Sequence, residues 1–531
     1  MSSPIWLLAW RSLADRPRRS LLLLVGYGIG VAVMIALLSV GDALLAQARD
    51  RDLVSGGDLV LLPEGVDPSV LKVNGVTDLS FTIQQAGFIT REILLGPRFA
   101  PAIAAASPQI TARQIYVRAR GRVVPAIASA GIPSLDEAAG VTAAVPGAED
   151  TPRDHAWLAP SPAALIDRID RFHRPPQAAR PAWAEWDYFN FVDPATGTYG
   201  YLTILAGGQG RGGVFIRIKQ PGRAVEDIAI PATVRPGDLR FDSADQRVGP
   251  ARVRNAGGRY HVTVNDPRAR VDLWLTPDPG FYLPPGETAG DTVISGYVVP
   301  AVRGRVRGEI RTRETSLRLE RAAGYHDHNW GTWRGVTWEW GEAGGEAMPL
   351  PAPHGATATA EGDALAHAVG AVLYGGLHVA GSEPGAGGRP AALFVWARPR
   401  ADSAPRGGAF LAAMPVTEIR YAGWHPGPVL AGRRVPAPAD VTVEAGSGAD
   451  HISVHIRVRD VLASIAGQGG PSSPTPGAGR GAPAVAFLQL RGEAQVRGIV
   501  DGRPVGFAGP AAAETFVPMP AGNPAGTRRP Y

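Results

Sequence analysis

The chain has 531 residues, 45% of them hydrophobic and 19% charged, with 67 glycines, 49 prolines and no cysteine. That length corresponds to about two to four domains of roughly 150 residues each, and glycine plus proline at about a fifth of the chain favours strands and turns over long helices. The missing cysteine excludes a thiolate nucleophile, a disulfide framework, thiolate-bound zinc and iron–sulfur clusters, while the net charge of +5 is scattered arginine without the basic stripe of a nucleic-acid binder.

The first element is Leu21 to Val40, an uncharged run of 20 residues. At about 1.5 Å per residue it spans about 30 Å, the thickness of a bilayer core. Arg11, Arg16, Arg18 and Arg19 with Asp15 precede it, and Asp42, Arg49, Asp50, Arg51 and Asp52 follow. The positive-inside rule then places the N-terminus in the cytoplasm and everything after residue 42 outside, in a single-pass inner-membrane protein with its bulk in the periplasm. A cleaved signal peptide fits less well, because the run exceeds a usual h-region and no small-x-small site follows it. Gly26 and Gly30 have the spacing that lets two membrane helices approach closely. No second span is expected, since Ala364 to Gly381 carries two histidines and four glycines and reads as buried strand.

Residues 43–140 mix an amphipathic lead with alternating segments and form a small α+β module. Residues 141–180 are rich in proline and alanine and read as a linker with one short helix near Ala163 to Phe172. From Trp183 onward, short alternating runs such as GVFIRIKQ, ARVDLWLTP and HISVHIRVRD are separated by Gly, Pro, Asp or Asn. They fall into two sets, 181–345 and 346–525, which implies two β-barrels or sandwiches in tandem. The segment GQGGPSSPTPGAGRGAP is a flexible insertion in the second set.

The most unusual string is GYHDHNWGTW, Gly324 to Trp333. Strand alternation places His326, His328 and Trp330 on one face and Asp327 and Asn329 on the other. Three readings are open. Two histidines at i and i+2 can hold a metal, but no third or fourth ligand is evident nearby, so no metal or cofactor is assigned. Polar side chains can lock a barrel mouth by hydrogen bonding to backbone. Or a histidine and a tryptophan can face a cavity holding an apolar ligand, one handling a proton and the other a developing cation. Trp183, Trp186, Trp338 and Trp340 read mainly as barrel core. Glu185 with Tyr188 lines the first barrel or pairs locally, and His451 and His455, four apart on one strand face, read as cross-strand packing.

Two family resemblances bear on these elements. LAWRSLADRPRRSLL (Leu8 to Leu22), GGDLVLLPEGVD (Gly56 to Asp67) and QIYVRARGRVVPAIASAGI (Gln114 to Ile132) resemble the start of an ABC-transporter permease of the macrolide-exporter and lipoprotein-release type. Such permeases carry further helices after that domain, and this chain has none. EWDYFNF (Glu185 to Phe191), SGYVVPAVRGRVRG (Ser295 to Gly308), YHDHNWG (Tyr325 to Gly331), WEWG (Trp338 to Gly341) and VDGRPVGFAG (Val500 to Gly509) resemble the carotenoid 1,2-hydratase (hydroxyneurosporene synthase) and AttH superfamily.

The second resemblance implies two lipocalin-like barrels in tandem and a hydro-lyase that adds water across an isoprenoid double bond. It also implies catalytic roles for His328, Trp330 and Tyr374. The family's Tyr-x-Asp acid then falls on Gly376, so Asp327 or Glu185 would have to supply the proton. His326, Asn329, Glu185, Tyr188 and Trp338 are the expected ligand contacts. The expected partners are the membrane, a hydrophobic small molecule and an ABC-transporter ATPase or permease. The alternative to an enzyme is a non-catalytic accessory of an ABC exporter that handles hydrophobic cargo.

Overall fold

The structure is a computed structural model. It describes residues 17–18, 59–62, 81, 83–95, 103–119, 122–140, 149–289, 294–333, 336–347, 368–379, 389–399, 410–465, 485–500 and 502–519. The predicted membrane helix from Leu21 to Val40, its Gly26 and Gly30, and the insertion at 467–483 lie outside these residues. Among the described residues no helix is long and apolar enough to cross a membrane.

The chain divides into two compact units, Met1–Phe81 with Ala105–Asp150, and Thr82–Ala104 with Thr151–Tyr531. Helix α1 (Ile83–Leu95) belongs to the second. The first holds an antiparallel hairpin, β1 (Ile110–Ala119) and β2 (Arg122–Ala130), and a short helix α2 (Pro133–Ala138). Ser134 at the start of α2 donates to Asp150 from its backbone N–H at 2.8 Å and its hydroxyl at 2.6 Å.

The second unit is almost entirely strand. Its first sheet is built from β3 (Trp183–Asp193), β4 (Thr198–Gly207), β5 (Arg211–Lys219), β6 (Glu226–Thr233), β7 (Gln246–Val248), β8 (Ala251–Asn255), β9 (Tyr260–Asn265), β10 (Ala269–Pro277), β11 (Leu283–Ala289), β12 (Ile294–Thr312) and β13 (Ser316–Thr332). Strands pair in sequence order, and β13 returns to pair with β3. The result is a nearly closed up-and-down barrel whose seam lies between β6 and β7, with β11 attached outside the path on β12. The second barrel is closed: β14 (Val336–Ala347), β15 (Ala368–Val379), β16 (Arg389–Pro399), β17 (Phe410–Ala422), β20 (Asp440–Ser447), β21 (Asp450–Ile465), β22 (Val485–Val500) and β23 (Arg503–Pro518). A hairpin of β18 (His425–Leu430) and β19 (Arg433–Ala437) is inserted between β17 and β20.

Two expectations are corrected here. The WEWG strand was assigned to the first barrel by its place in the sequence, but β14 pairs with β15 on one edge and β23 on the other, so the second barrel begins at Val336. The short helix expected near Ala163 to Phe172 is present, and residues 149–180 hold a second helix that was not expected. They carry α3 (Pro152–Leu158) and α4 (Pro162–Ile169), each begun by a hydroxyl cap followed by proline. Thr151 and Asp154 form a reciprocal capping box, and the Ser161 hydroxyl accepts the Ala164 N–H at 3.2 Å. The capped helix enters the first barrel, where Ile166 and Phe172 join the core of Leu202, Ile204, Ile216 and Val262. Asn255 donates to the Ala163 carbonyl at 2.7 Å, fixing the entry.

Burial along the strands shows where the barrels meet. At the start of β13, Leu317 and Leu319 are buried between exposed Ser316, Arg318 and Glu320, as for a strand with water on one side. From Gly324 to Thr332 no residue is exposed. Strand β22 mirrors this, buried from Ala486 to Arg491 and alternating from Glu493 onward. A shared apolar layer of Trp186, Tyr188, Tyr325, Trp333, Leu373 and Leu377 lies between the barrels. It is crossed by Arg491 donating to the Tyr188 hydroxyl at 2.7 Å, Tyr201 donating to Gln489 at 2.6 Å, and Asn190 donating to Glu342 at 3.2 Å.

Two outcomes are expected. Burial raises the Glu342 carboxyl to about 7, against the attraction of Arg491. The folded chain therefore holds a proton that the unfolded chain releases near 4.5, and this contribution to stability falls as pH rises from about 4.5 through about 7. Melting temperatures should decline over that window in the wild type relative to Glu342→Gln, and parallel curves would refute it. Gly296 lies opposite Trp330, whose indole passes 1.9 Å from where a Cβ would sit. Gly296→Ala should cost about 1–3 kcal/mol in urea unfolding by displacing that ring.

Candidate active site

Strands β3 and β13 pair in a register that sets His328 beside Asp187, Trp330 beside Glu185 and His326 beside Phe189. Alternation gives each strand two faces. Glu185, Asp187 and Phe189 point with His326, His328 and Trp330 into the first barrel, whereas Trp186 and Tyr188 point with Tyr325, Asp327 and Asn329 toward the second.

The inner face holds a buried charge network centred on Asp170, the residue that ends α4. Its Oδ1 accepts from His328 Nδ1 at 2.7 Å, and its Oδ2 accepts from His326 Nε2 at 3.0 Å and from the Tyr260 hydroxyl at 2.6 Å. The other nitrogen of His326 donates to the Tyr188 carbonyl at 3.0 Å, and that of His328 to Glu185 Oε1 at 3.0 Å. Each ring thus donates from both nitrogens, the pattern of an imidazolium. Burial opposes charge on both rings, but Asp170, with Glu185 for His328, outweighs it and raises both. Burial likewise works against ionised Asp170 and Glu185, and their histidine partners outweigh it and hold both below the usual carboxylate range. Asp187 lacks such partners: burial pushes it up, and its Oδ2 has no hydrogen bond.

Two further groups complete this face. His173 donates to Glu185 Oε1 from its backbone N–H and from Nδ1, both at 2.8 Å, and its ring stacks on Trp330 with centroids 3.8 Å apart. The Trp183 indole donates to Glu185 Oε2 at 3.1 Å. Ligand-type atoms converge in two sets, His173–Glu185–His328 and Asp170–Asp187–His328, each within 4.8 Å. The third and fourth partners missing beside the HDH string come from residues 170–187.

The outer face borders a cavity of about 90 Å³ between the barrels, lined by Trp186, Tyr188, Trp333, Trp338 and Trp340, with Asp327, Asn329, Glu339, Gln489 and Glu514 as its polar groups. Burial pushes Asp327 up to about 7, although Tyr325 donates to it at 2.9 Å and Asn329 at 2.8 Å. Burial also raises Glu514, which accepts from Trp338 at 2.9 Å and Gln489 at 3.0 Å, and Glu339, which accepts from Thr515 at 2.9 Å.

The expected site residues therefore separate. Tyr188, Asp327, Asn329 and Trp338 line the cavity. His326, His328, Glu185 and Trp330 lie on the far face of the same strands, so Glu185 and Tyr188 do not share a wall as expected from their proximity in sequence. Tyr374 lies inside the second barrel, its hydroxyl without a partner. Gly376, where the family's acid would fall, borders the cavity, but a Cβ there would lie 3.0 Å from the Ala391 Cα. Sequence reasoning missed Asp187, Asp170, His173, Glu514 and Gln489. Alternation in EWDYFNF marks Asp187, two residues from Glu185; Asp170 lies at the end of the expected short helix and His173 just beyond it, and neither stands in a motif.

Residues 167–373 match a family described as "Domain of unknown function (DUF7064)". No curated protein matches the chain. Among solved structures, the chain is similar to a putative AttH from Nitrosomonas europaea at 12% identity and a TM-score of 0.38, covering 71% of this chain and 100% of that one. It is similar to CghA at 11% identity and a TM-score of 0.38, covering 68% of this chain and 97% of that one. The two-barrel architecture itself rests on the strand pairing described above.

Proposed function

We propose that this protein binds an apolar, isoprenoid or lipid-like molecule in the cavity between its barrels and protonates a double bond of that molecule. One observation carries this reading: three carboxyl groups, all raised by burial, face a cavity walled by tryptophan and tyrosine. A carboxyl kept neutral near pH 7 is a proton donor, and indole faces stabilise the carbocation that protonation creates. Asp327 is the donor of choice, because it sits between Tyr325 and Asn329 on the cavity wall. The proton goes to one alkene carbon, water adds to the other, and the proton released by that water returns to the carboxylate. The reaction is redox-neutral and needs no cofactor.

At roughly 10–15 Å³ per water, a cavity of about 90 Å³ accepts the end of a chain rather than a whole polyene. That suits reaction at a terminal double bond. The inner-face network would act from behind, holding β3 and β13 in the register that aims Asp327 at the cavity. Anchorage in the inner membrane with the barrels outside belongs to the same reading and rests on the apolar run and its arginine flank. The second reading, capture of hydrophobic cargo for an ABC exporter without turnover, is favoured by Gly376 at the position of the family's acid.

Purified full-length protein in detergent should quench its tryptophan fluorescence on adding acyclic polyenes and convert them to products heavier by one water. Asp327→Asn should lower turnover by about 10²–10⁴-fold with little change in binding, whereas Trp338→Ala should weaken binding. Quenching without product in the wild type would select the cargo reading, and no quenching at all would dispose of both.

A further inference from the structure

We propose that His173, Glu185 and His328 form a binding site for a divalent first-row metal ion such as zinc. Two imidazole nitrogens and one carboxylate oxygen are a standard zinc donor set, with a fourth position left for water. The three candidate atoms, His173 Nδ1, His328 Nε2 and Glu185 Oε1, lie within 4.8 Å of one another. Tetrahedral bonds of about 2.0–2.1 Å separate neighbouring ligand atoms by about 3.3 Å, so the observed 2.8 and 3.0 Å need to open by only a few tenths of an ångström.

Two independent features point to an ion rather than a closed salt-bridge cluster. Glu185 Oε1 is asked to accept three hydrogens, from the His173 backbone, His173 Nδ1 and His328 Nε2, more than the two lone pairs of one oxygen accommodate. An ion replaces two of those donors by one bond. Next, each ligand already has the support that metal ligands require behind them. Asp170 accepts from His328 Nδ1 at 2.7 Å, leaving Nε2 as the coordinating nitrogen; Trp183 holds Glu185 Oε2; and Trp330 stacks on the His173 ring. Access exists from one side, because the His173 side chain is 27% exposed while that of His328 is fully covered.

The second set, Asp170–Asp187–His328, offers one imidazole only, and Asp170 is already taken by His326 and Tyr260. It serves as the outer support of the first.

Full-length protein stripped with a chelator, incubated with zinc chloride and passed through gel filtration should retain a single zinc, measured by elemental mass spectrometry. His173→Ala and Glu185→Gln should lose it, and Asp170→Asn, which alters the acceptor behind His328 as well as that of His326 and Tyr260, should weaken binding by about 10–100-fold. His455→Ala, a half-exposed histidine on the second barrel, should keep it. Zinc should raise the melting temperature of the wild type but not that of His173→Ala, each compared with its own zinc-free form. Wild type that elutes without zinc, or His173→Ala that retains as much as wild type, overturns the assignment. Neither result depends on polyene binding or turnover, so this test stands apart from that of the proposed activity.

Discussion

Two histidines buried on one strand cannot stay charged without buried acceptors, and the first barrel is arranged around meeting that demand. Burying an isolated ion costs several kcal/mol, repaid only by close partners with good geometry. Asp170 and Glu185 are those partners, and each comes from a different stretch of chain. To deliver Asp170, α4 must enter the barrel and end there; to deliver Glu185, β3 must pair with β13 in one register. A slip of β13 by one residue would turn both histidines toward the second barrel, away from Asp170 and Glu185. The charge network thus sets the pairing on which the outer face also depends.

That outer face inherits its geometry from the same two strands. Asp327 lies between the two histidines in sequence yet faces a different environment, walled by indoles and raised by burial rather than lowered by partners. The opposite pKa directions of these carboxyls follow from the partners each one has. Ionised Asp170 and Glu185 have cationic neighbours; Asp327, Glu339 and Glu514 have hydroxyls, amides and an indole. The first set suits holding charge, the second suits giving up a proton.

Much of this was legible in the sequence. Alternating runs separated by turn residues marked two sets of strands, and alternation along YHDHNW placed the histidines and Asp327 on opposite faces. What composition could not show is that strands buried on both sides lose their alternation, as β3 and the second half of β13 do, so a cavity between barrels leaves no periodic trace. The partners of the histidines were also invisible, since proline and arginine around Asp170 resemble a linker until the helix caps and the barrel interior are seen together. The boundary near Val336 was misplaced for a related reason: no turn signal distinguishes a strand that closes one barrel from one that opens the next.

The placement of Asp170 also bears on how the chain assembles. It precedes its histidine partners by 156 and 158 residues, and every strand of the first barrel except part of β13 is synthesised between them. Closing so long a loop carries an entropic cost that is repaid only when β13 arrives beside β3. Until then the segment around Asp170 carries a carboxylate whose place is inside a barrel that does not yet exist. Closure of the first barrel, neutralisation of its interior and formation of the wall against which the second barrel packs therefore all depend on β13.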